Sequence, residues 1–305
     1  MATNGTFTAV NLSQLPPPQV VEVLDFEKIV SEIIADFKAR QEAAGQPYTS
    51  VVEADPAYKM AQAAAYREMI VRARVNESAK AVMLAYAVDA DLDNIGANTG
   101  VTRLVVQEAD PTTIPPTPRI MESNDDYRAR IQLAPEAYTT AGSEGSYQYH
   151  TRSANGKIKD AQVLSPAPTQ VLVYISNRDG NGEATMDMVA DVRAALNAKT
   201  VRPLTDKVTV MSAVAVNYSI SAQLQIYDGP DPSVVIAAAR KAAQAYADDQ
   251  RKIGYDITLA GIIAALKQPG VHDVKMITPT ANVVIGDGQV GYCTSITVTQ
   301  AVLNV

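Results

Sequence analysis

"DADLDNIGANTGVTR", the stretch from Asp89 to Arg103, contains three alternating aspartates and two glycines four residues apart. It could be a calcium loop, a phosphate-binding turn or the end of a helix. A calcium loop requires glycine at its sixth position and glutamate at its twelfth, whereas these positions hold Asn94 and Gly100. A dinucleotide-binding turn requires a preceding apolar strand and a third glycine, which this stretch lacks. We therefore expect a helix end here and no ligand site.

As a helix end, the same residues have ordinary structural roles. Asp91 is expected to cap a short helix, because its side chain can accept a hydrogen bond from the amides of the first turn. Leu92 and Ile95 are spaced to bury on one face, and Gly96 would allow a close approach to the preceding helix. Gly100 suits the left-handed residue beyond the helix end. The pattern predicts a positive φ at Gly100.

Two longer helices are predicted upstream of this stretch. The first begins after Asp25 and reaches Gly45, and the second begins at Asp55 with a proline in its first position and runs to about Val88. The second helix carries apolar side chains around most of its circumference. Such a helix is normally surrounded by protein, and a single preceding helix of roughly five turns is too short to cover it.

We therefore expect another chain to cover part of this helical region. The predicted inter-chain helical interface consists of Phe26, Ile29, Ile33, Phe37, Tyr66 and Ile70. Two alternatives remain open at this point. These residues could only close a helical hairpin within the chain, or the later domains could fold back over the second helix.

Downstream of a proline-rich connection at residues 107–119, the sequence predicts alternating short helices and strands. Residues 216–226 alternate strictly between apolar and polar side chains, which is typical of a half-buried strand. Asn124 is expected to cap a short helix. A later helix from Ser233 is expected to face the sheet with Val235, Ala238, Ala239, Ala242 and Ala245.

The element pattern predicts the α+β class. A region of long helices is followed by two small mixed α/β domains, and the last is a strand–helix–helix–strand–strand sandwich with an open face opposite its helices. The expected divisions are residues 1–122 for the N-terminal arm, helical bundle region and linker, 123–212 for the middle α/β domain, and 213–305 for the C-terminal α+β domain.

Composition excludes several classes of protein. The chain has 305 residues, 47% of them hydrophobic, and a net charge of −7, which argues against binding to nucleic acid because clustered Lys and Arg supply that affinity. It contains no run of 18 apolar residues that could span a membrane. The N-terminus "MATNGTFTAVNLSQLPPP" lacks the basic start and apolar core of a signal peptide. The single cysteine, Cys293, excludes an internal disulfide.

Catalytic chemistry is not indicated by any motif. The two histidines, His150 and His272, have no second ligand at metal-binding spacing, and neither a nucleophile elbow nor a phosphate loop occurs. The stretch "NRDGNGEATMDM" also starts like a calcium loop, but its twelfth position is Met188. We expect no catalytic residue, no metal and no cofactor.

The stretch "ADLDNIGANTGVTR" resembles the signature of the baseplate assembly protein J family. The matching positions are Leu92, Asp93, Gly96, Gly100, Val101 and Arg103. The surroundings agree, with a long helix before the signature, "SNDDYRARI" after it and "QPGVHDVKM" within the α+β C-terminal domain. The resemblance covers nearly the whole chain, apart from the proline-rich segment Asp110–Pro118.

The resemblance implies a structural role in the baseplate wedge of a contractile tail. Proteins of this family pair with themselves and with the tail protein I family, and six such wedges surround the central spike hub. The ring carries sheath initiation and triggers contraction. The implied partners are thus a second copy of this chain, a tail protein I partner, and the sheath initiator and spike hub proteins. The implied location is the baseplate of a virion or tail particle, assembled in the bacterial cytoplasm.

Two other classes of function fit the sequence less well. A tail-associated enzyme that degrades cell-wall glycan would need two carboxylates at a fixed separation in a cleft. No sequence pattern marks such a pair, and the chain has no Trp to stack on sugars. A tail-tip adhesin would predict a repetitive, strand-rich sequence, which this chain does not have.

Overall fold

A computed structural model of the chain describes residues 10, 12, 15–48, 52–139, 142–229 and 231–301. The described chain separates into two compact units, residues 10–98 and residues 99–301. The first contains helices and the second contains helices and small sheets. The predicted α+β class is confirmed. Much of the predicted N-terminal arm lies outside the described residues.

Three helices form the first unit. They are α1 (Phe26–Ala43), α2 (Pro56–Ala81) and α3 (Asp89–Asn98). Asp25 caps α1 by accepting a hydrogen bond from the amide of Lys28, and Asp55 caps α2 by accepting one from the amide of Ala57. Each cap satisfies an amide that has no partner inside the helix. Both predicted helix starts are confirmed.

The second helix is shorter than the sequence predicted. It ends at Ala81 and not near Val88. Beyond it, the amide of Met83 donates to the carbonyl of Lys80 at 3.1 Å, and the amide of Ala87 donates to the carbonyl of Met83 at 2.8 Å. These local turns replace the regular helical ladder. Since no proline or glycine stands between Ala81 and Val88, the sequence contains no ordinary stop signal there.

The start of α3 also differs from the prediction. The helix begins at Asp89, whose φ is +47°. Asp91 therefore lies in the first turn, where its amide donates to the carbonyl of Val88 at 3.1 Å. Asp91 was expected to be the cap, and that prediction is wrong, because Asp91 is the third residue of the helix. An acidic side chain in the first turn still interacts favourably with the helix dipole.

The second unit opens with a two-stranded ribbon and two helices. Strands β1 (Val105–Gln107) and β2 (Ile120–Met121) are antiparallel, and α4 (Asn124–Leu133) follows them. Ser123 and not Asn124 caps α4, because the Ser123 hydroxyl accepts from the amide of Asp126 at 3.2 Å. A 3-10 turn, Ala134–Tyr138, leads to α5 (Glu144–Ala154).

The middle region, residues 123–212, continues with a three-stranded sheet. Its elements are β3 (Ile158–Ala167), β4 (Gln170–Asn177), α6 (Met186–Leu196) and β5 (Lys207–Ser212). The strand order is β3-β4-β5, with an antiparallel first pair and a parallel second pair. The α6 helix connects the parallel strands and packs its buried face, Met188, Val192 and Leu196, in the core under the sheet.

The C-terminal sandwich, residues 214–300, has the predicted order of elements. These are β6 (Val214–Ile226), α7 (Pro232–Asp249), α8 (Leu259–Leu266), β7 (Val271–Thr278) and β8 (Gln289–Gln300). The strand order is β7-β6-β8, so β6 is central, antiparallel to β7 and parallel to β8. Its buried residues Tyr218, Ile220, Ala222, Leu224 and Ile226 confirm the strict alternation.

The buried face of α7 differs in part from the predicted one. Val235 and Ala239 are buried as expected, but the face continues through Ala243 and Ala247. Ala238 and Ala245 are exposed, and Ala242 is half-buried. The helix contains so many alanines that their spacing alone did not distinguish the two faces.

A single buried residue, Ala213, joins the middle region to the C-terminal sandwich. It is 1% exposed, and its amide donates to the carbonyl of Ile175 at 2.8 Å. The side-chain amide of Gln162 spans the same boundary. Its Nε2 donates to Asp287 Oδ1 at 2.8 Å, and its Oε1 accepts from the amide of Gly288 at 2.8 Å.

Candidate assembly interface

The six signature residues occupy α3 and the connection that follows it. Leu92, Gly96 and Val101 are buried, whereas Asp93 is exposed. Gly100 has a φ of +71°, which confirms the predicted left-handed conformation. A Cβ added at Gly100 would meet no atom within 4 Å. Glycine is therefore favoured at this position by its backbone conformation and not by a steric contact.

Arg103, the last signature residue, binds other residues of its own chain. Its Nη1 donates to the carbonyl of Glu122 at 2.8 Å, and its Nη2 donates to Asn124 Oδ1 at 2.9 Å. The guanidinium also lies 4.6 Å from the ring centroid of Tyr127, close enough for a cation–π interaction. The Tyr127 hydroxyl donates to the carbonyl of Val101 at 2.7 Å. Two signature positions are thus fixed to the start of α4.

A buried ion pair lies next to this contact. Arg130 Nη2 donates to Glu122 Oε2 at 2.7 Å, and both side chains are 3% exposed. Arg130 also donates to the carbonyl of Thr102 at 2.6 Å, and Glu122 accepts from the amide of Leu104 at 3.2 Å. Removing one partner of such a pair leaves an uncompensated buried charge, which is strongly destabilising. The pair therefore fixes the connection onto α4.

A second charged cluster joins α4 to the middle sheet. Asp126 accepts hydrogen bonds from Lys159 Nζ at 3.2 Å, from the Ser123 hydroxyl at 2.9 Å and from Arg178. Burial raises the pKa of the Asp126 carboxyl, but the two positive charges and the hydrogen bonds outweigh burial, so that its pKa lies below the ordinary value. Asp126 is consequently ionised at neutral pH.

The sequence alone does not predict these contacts. Glu122 was not identified as a functional residue, and Tyr127 and Arg130 entered only as letters of the "SNDDYRARI" motif. Their spacing of three residues is a usable signal, because it places both side chains on one face of α4. The partner residues lie between 8 and 28 positions away, and no local pattern predicts such separations.

The predicted inter-chain residues of the N-terminal hairpin, α1 and α2, divide into three groups. In the first group, Ile29 is buried in a small cluster with Val30 and Ala65, and Phe26 and Ile33 pack against that cluster. These three predicted residues contact the chain's own hairpin. They hold α1 against α2.

The second group is Phe37, which lines an apolar groove between the two helices. The groove is lined by Ile33, Ile34, Phe37, Ala57, Met60, Ala61 and Ala64. Every lining side chain is apolar, and Met60 is 72% exposed. Phe37 makes an edge-to-face contact with Tyr48 at a centroid distance of 5.4 Å. The alanine side chains in the groove are small, so another helix could pack closely against it.

The third group, Tyr66 and Ile70, is exposed within its unit. The two residues are one turn apart on α2, and they are 54% and 46% exposed. At about 100° per residue they point away from the buried Ala65. Val71 and Val75 are also more than half exposed, on the side that continues the groove. Apolar side chains therefore remain uncovered on two sides of α2 within the first unit.

The described residues do not contain a group of three or more His, Cys, Asp or Glu side chains that could hold a metal ion. The helices in the described part of the chain are also too short or too polar to cross a membrane. Among the residues that the structure describes, the buried charged side chains of Glu122 and Arg130 pair with each other. The exposed apolar surface of the hairpin is thus the main candidate for a functional surface.

Comparison with known families gives three consecutive matches along the chain. Residues 53–110 match the baseplate J-like N-terminal domain, residues 139–212 the baseplate J-like central domain, and residues 218–299 the baseplate J-like C-terminal domain. Together the matches define a class of protein, the baseplate J-like proteins.

A curated relative extends this result to most of the chain. Baseplate protein J of Escherichia phage P2 is 48% identical over 290 residues, which make up 93% of this chain and 95% of the relative. The chain belongs to the baseplate J-like family. The family predicted from the signature residues is confirmed.

A solved structure is also similar. It is a chain in the cryo-EM structure of the anti-feeding prophage baseplate, with a TM-score of 0.37 and 14% sequence identity. The match covers 61% of this chain and 43% of that one. This chain therefore spans less than half the length of that structural neighbour.

Proposed function

We propose that this protein is a structural component of the baseplate wedge of a contractile tail. In this role it assembles with itself and with a tail protein I partner into a ring of six wedges around the central spike hub. The observation that carries the proposal is the 48% identity to a phage baseplate protein over nearly the full length of both chains.

The N-terminal hairpin is proposed as the surface that meets the neighbouring chains. Its groove and the exposed Tyr66 and Ile70 supply apolar surface on two sides of α2. Apolar patches larger than a few hundred Å² usually mark binding sites for other proteins. In this proposal Phe37, Tyr66 and Ile70 contact the partner directly. Ile29 contributes indirectly, because it holds the two helices in the orientation that forms the groove.

The contacts with the sheath initiator and spike hub, and the coupling of baseplate rearrangement to sheath contraction, belong to the same proposal. We also propose that the chain is not an enzyme, that it assembles in the bacterial host cytoplasm, and that it is divided into domains at residues 1–122, 123–212 and 213–305. The three consecutive family matches support this division.

The proposal is tested by light scattering of the full chain, alone and after co-expression with its tail protein I partner. We expect self-association of the chain alone and a hetero-oligomer of defined mass with the partner. Ile70→Asp should abolish the hetero-oligomer, because a charge would enter an apolar contact. The control is Lys80→Glu, which reverses an exposed charge on the same helix and should leave assembly unchanged.

A monomer whose mass does not change in the presence of the partner would contradict the wedge proposal. The enzymatic alternative has its own assay, in which the purified chain is incubated with peptidoglycan. We expect no release of soluble fragments. Fragment release that depends on the protein would favour the glycan-degrading enzyme instead.

A further inference from the structure

The two edge strands of the C-terminal sandwich differ in their charges. β7 carries Asp273 and Lys275, both exposed. β8 spans Gln289–Gln300 as "QVGYCTSITVTQ" and contains no charged residue and no proline. Charges and prolines on edge strands are the usual protection against pairing with another strand. The β7 edge is therefore protected by charge, and the β8 edge is not.

The outer backbone groups of β8 can be identified from its pairing with β6. The amide of Ala301 donates to the carbonyl of Leu224 at 2.8 Å, so residue 301 faces β6. The amide and carbonyl of one residue point to the same side of a strand, and this side alternates along the strand. Consequently Ile296, Val298 and Gln300 direct their amides and carbonyls away from β6, at the outer edge of the sheet.

In the described part of the chain, the second half of β8 has no strand partner at its outer edge, whereas the first half is partly covered. Near its start, the amide of Gly254 donates to the carbonyl of Gln289 at 2.9 Å, and Ile253 forms an isolated bridge with Val290. A register shift opposite Tyr218 and Ser219 follows. Beyond that shift, Ser295–Gln300 pair regularly with β6. Within the described residues, β8 has no strand partner besides β6 over this run.

We propose that β8 of a second copy of this chain pairs with this edge, antiparallel, along Ser295–Gln300. The inference rests on the proposed function, since it assigns a surface to the self-association proposed there. Two three-stranded sheets would join into one sheet of about six strands, a common size for a sheet. The contact is isologous, with the same residues on both sides of a two-fold axis.

The chemistry of the strand favours a second copy as its partner. In an antiparallel pair around a two-fold axis, the same short segment of each chain lies opposite its counterpart. A charged residue in that segment would therefore lie close to the identical charge of the other chain and be repelled by it. β8 has no charge that could do so. On the open face, Ser295 and Thr297 are exposed, and Ser/Thr hydroxyls are able to form hydrogen bonds with each other across paired strands.

The test uses amide hydrogen exchange and sedimentation of the full chain over a range of protein concentrations. We expect exchange of the outward amides of Ile296, Val298 and Gln300 to slow by at least tenfold as the concentration rises through the range of self-association. The variant is Gln300→Pro, which removes one outward amide and no bond to β6, a position where an edge strand tolerates proline. A two-fold contact loses two hydrogen bonds in this variant, so the β8 contact should weaken by about tenfold or more.

Gln300→Ala is the matched control, because it keeps the backbone amide and should retain the protection of the parent chain. Exchange of these outward amides that is the same at all concentrations would overturn the β8 proposal. The same conclusion follows if the amides of Ile296 and Val298 keep full protection in Gln300→Pro. If the chain still self-associates and binds the tail protein I partner in either case, the β8 contact fails while the wedge proposal stands.

Discussion

The N-terminal hairpin and the C-terminal sandwich bury their apolar residues to very different extents. The buried cluster between the two helices, which have 18 and 26 residues, contains only Ile29, Val30 and Ala65 within the described residues. Thirteen buried residues close the core of the sandwich. The sandwich therefore has a core of its own, whereas the hairpin has too small a core to account for the apolar residues on its helices.

The comparison shows how the placement of apolar residues separates a core from a docking surface. On α7 the buried residues Val235, Ala239, Ala243 and Ala247 repeat every fourth position and form one face. On α2 the apolar residues are spread around the helix, and only Ala61 and Ala65 are buried. A helix with one apolar face is satisfied by one sheet, whereas a helix with several needs further partners.

The largest expected effect is in the core of the sandwich. Leu224 is 0% exposed at the centre of β6, and Leu224→Ala should lower the free energy of unfolding by about 2–5 kcal/mol through lost contacts and a residual cavity. Chemical denaturation measures this change. The control is Val234→Ala on α7, which is 65% exposed and should change stability by less than about 0.5 kcal/mol. Equal effects at the two positions would remove the distinction between core and surface.

Two isoleucines of the hairpin provide a smaller test. Ile29→Ala removes a buried side chain and should cost about 2 kcal/mol, at the lower end for this substitution because the cluster is small. Ile70→Ala trims a side chain that is 46% exposed and should cost no more than about 0.5 kcal/mol. Helix unfolding followed by circular dichroism compares them. A large loss in Ile70→Ala would mean that this residue is part of the hairpin core.

Gly100 tests the backbone at the end of α3. Gly100→Val places a β-branched side chain at a φ of +71° and should cost about 1 kcal/mol or more through backbone strain. Gly100→Asn should cost less, because asparagine tolerates this conformation. Thermal melting of the two variants measures the difference. An unchanged melting temperature in Gly100→Val would show that the chain accepts another conformation there.

The smallest expected effect is a difference in acid response between the two regions. The pKa of Asp126 is lowered in the folded chain, so its contribution to stability is present above the ordinary pKa of 3.8 and is lost as pH falls through the folded value. The hairpin pair Arg40–Asp36 is exposed and should contribute little. Denaturation between about pH 5 and about pH 2, a range that brackets this titration, measures the effect. The free energy of unfolding should depend less on pH in Asp126→Asn than in the parent chain. Asp36→Asn should match the parent chain.

The sequence predicted the sandwich better than the hairpin for a physical reason. Strict alternation over residues 216–226 has one structural solution, because a strand buries every second side chain. The end of α2 had no such signal, since Ala81 to Val88 lacks a helix breaker. Asp91 was misplaced as a cap because three aspartates in alternation offer several equivalent starts.

The candidate site was predicted only in part. The signature residues were identified, and the positive φ of Gly100 was confirmed. The contacts that bind Arg103 to Glu122 and Tyr127 were not predicted, because they depend on where distant segments meet after folding. The assignment of hairpin residues to an inter-chain surface stays a prediction. The spacing of apolar residues along one chain does not show which of them a partner chain covers.

The one-residue joint at Ala213 has a mechanical consequence. Flexible linkers allow two domains to turn independently, but Ala213 is buried and its amide is hydrogen-bonded to β4. The Gln162 side chain adds two further hydrogen bonds across the boundary. We therefore expect a torque applied to the C-terminal sandwich to be passed to the middle region, because the joint between them is buried and hydrogen-bonded and is not a flexible linker.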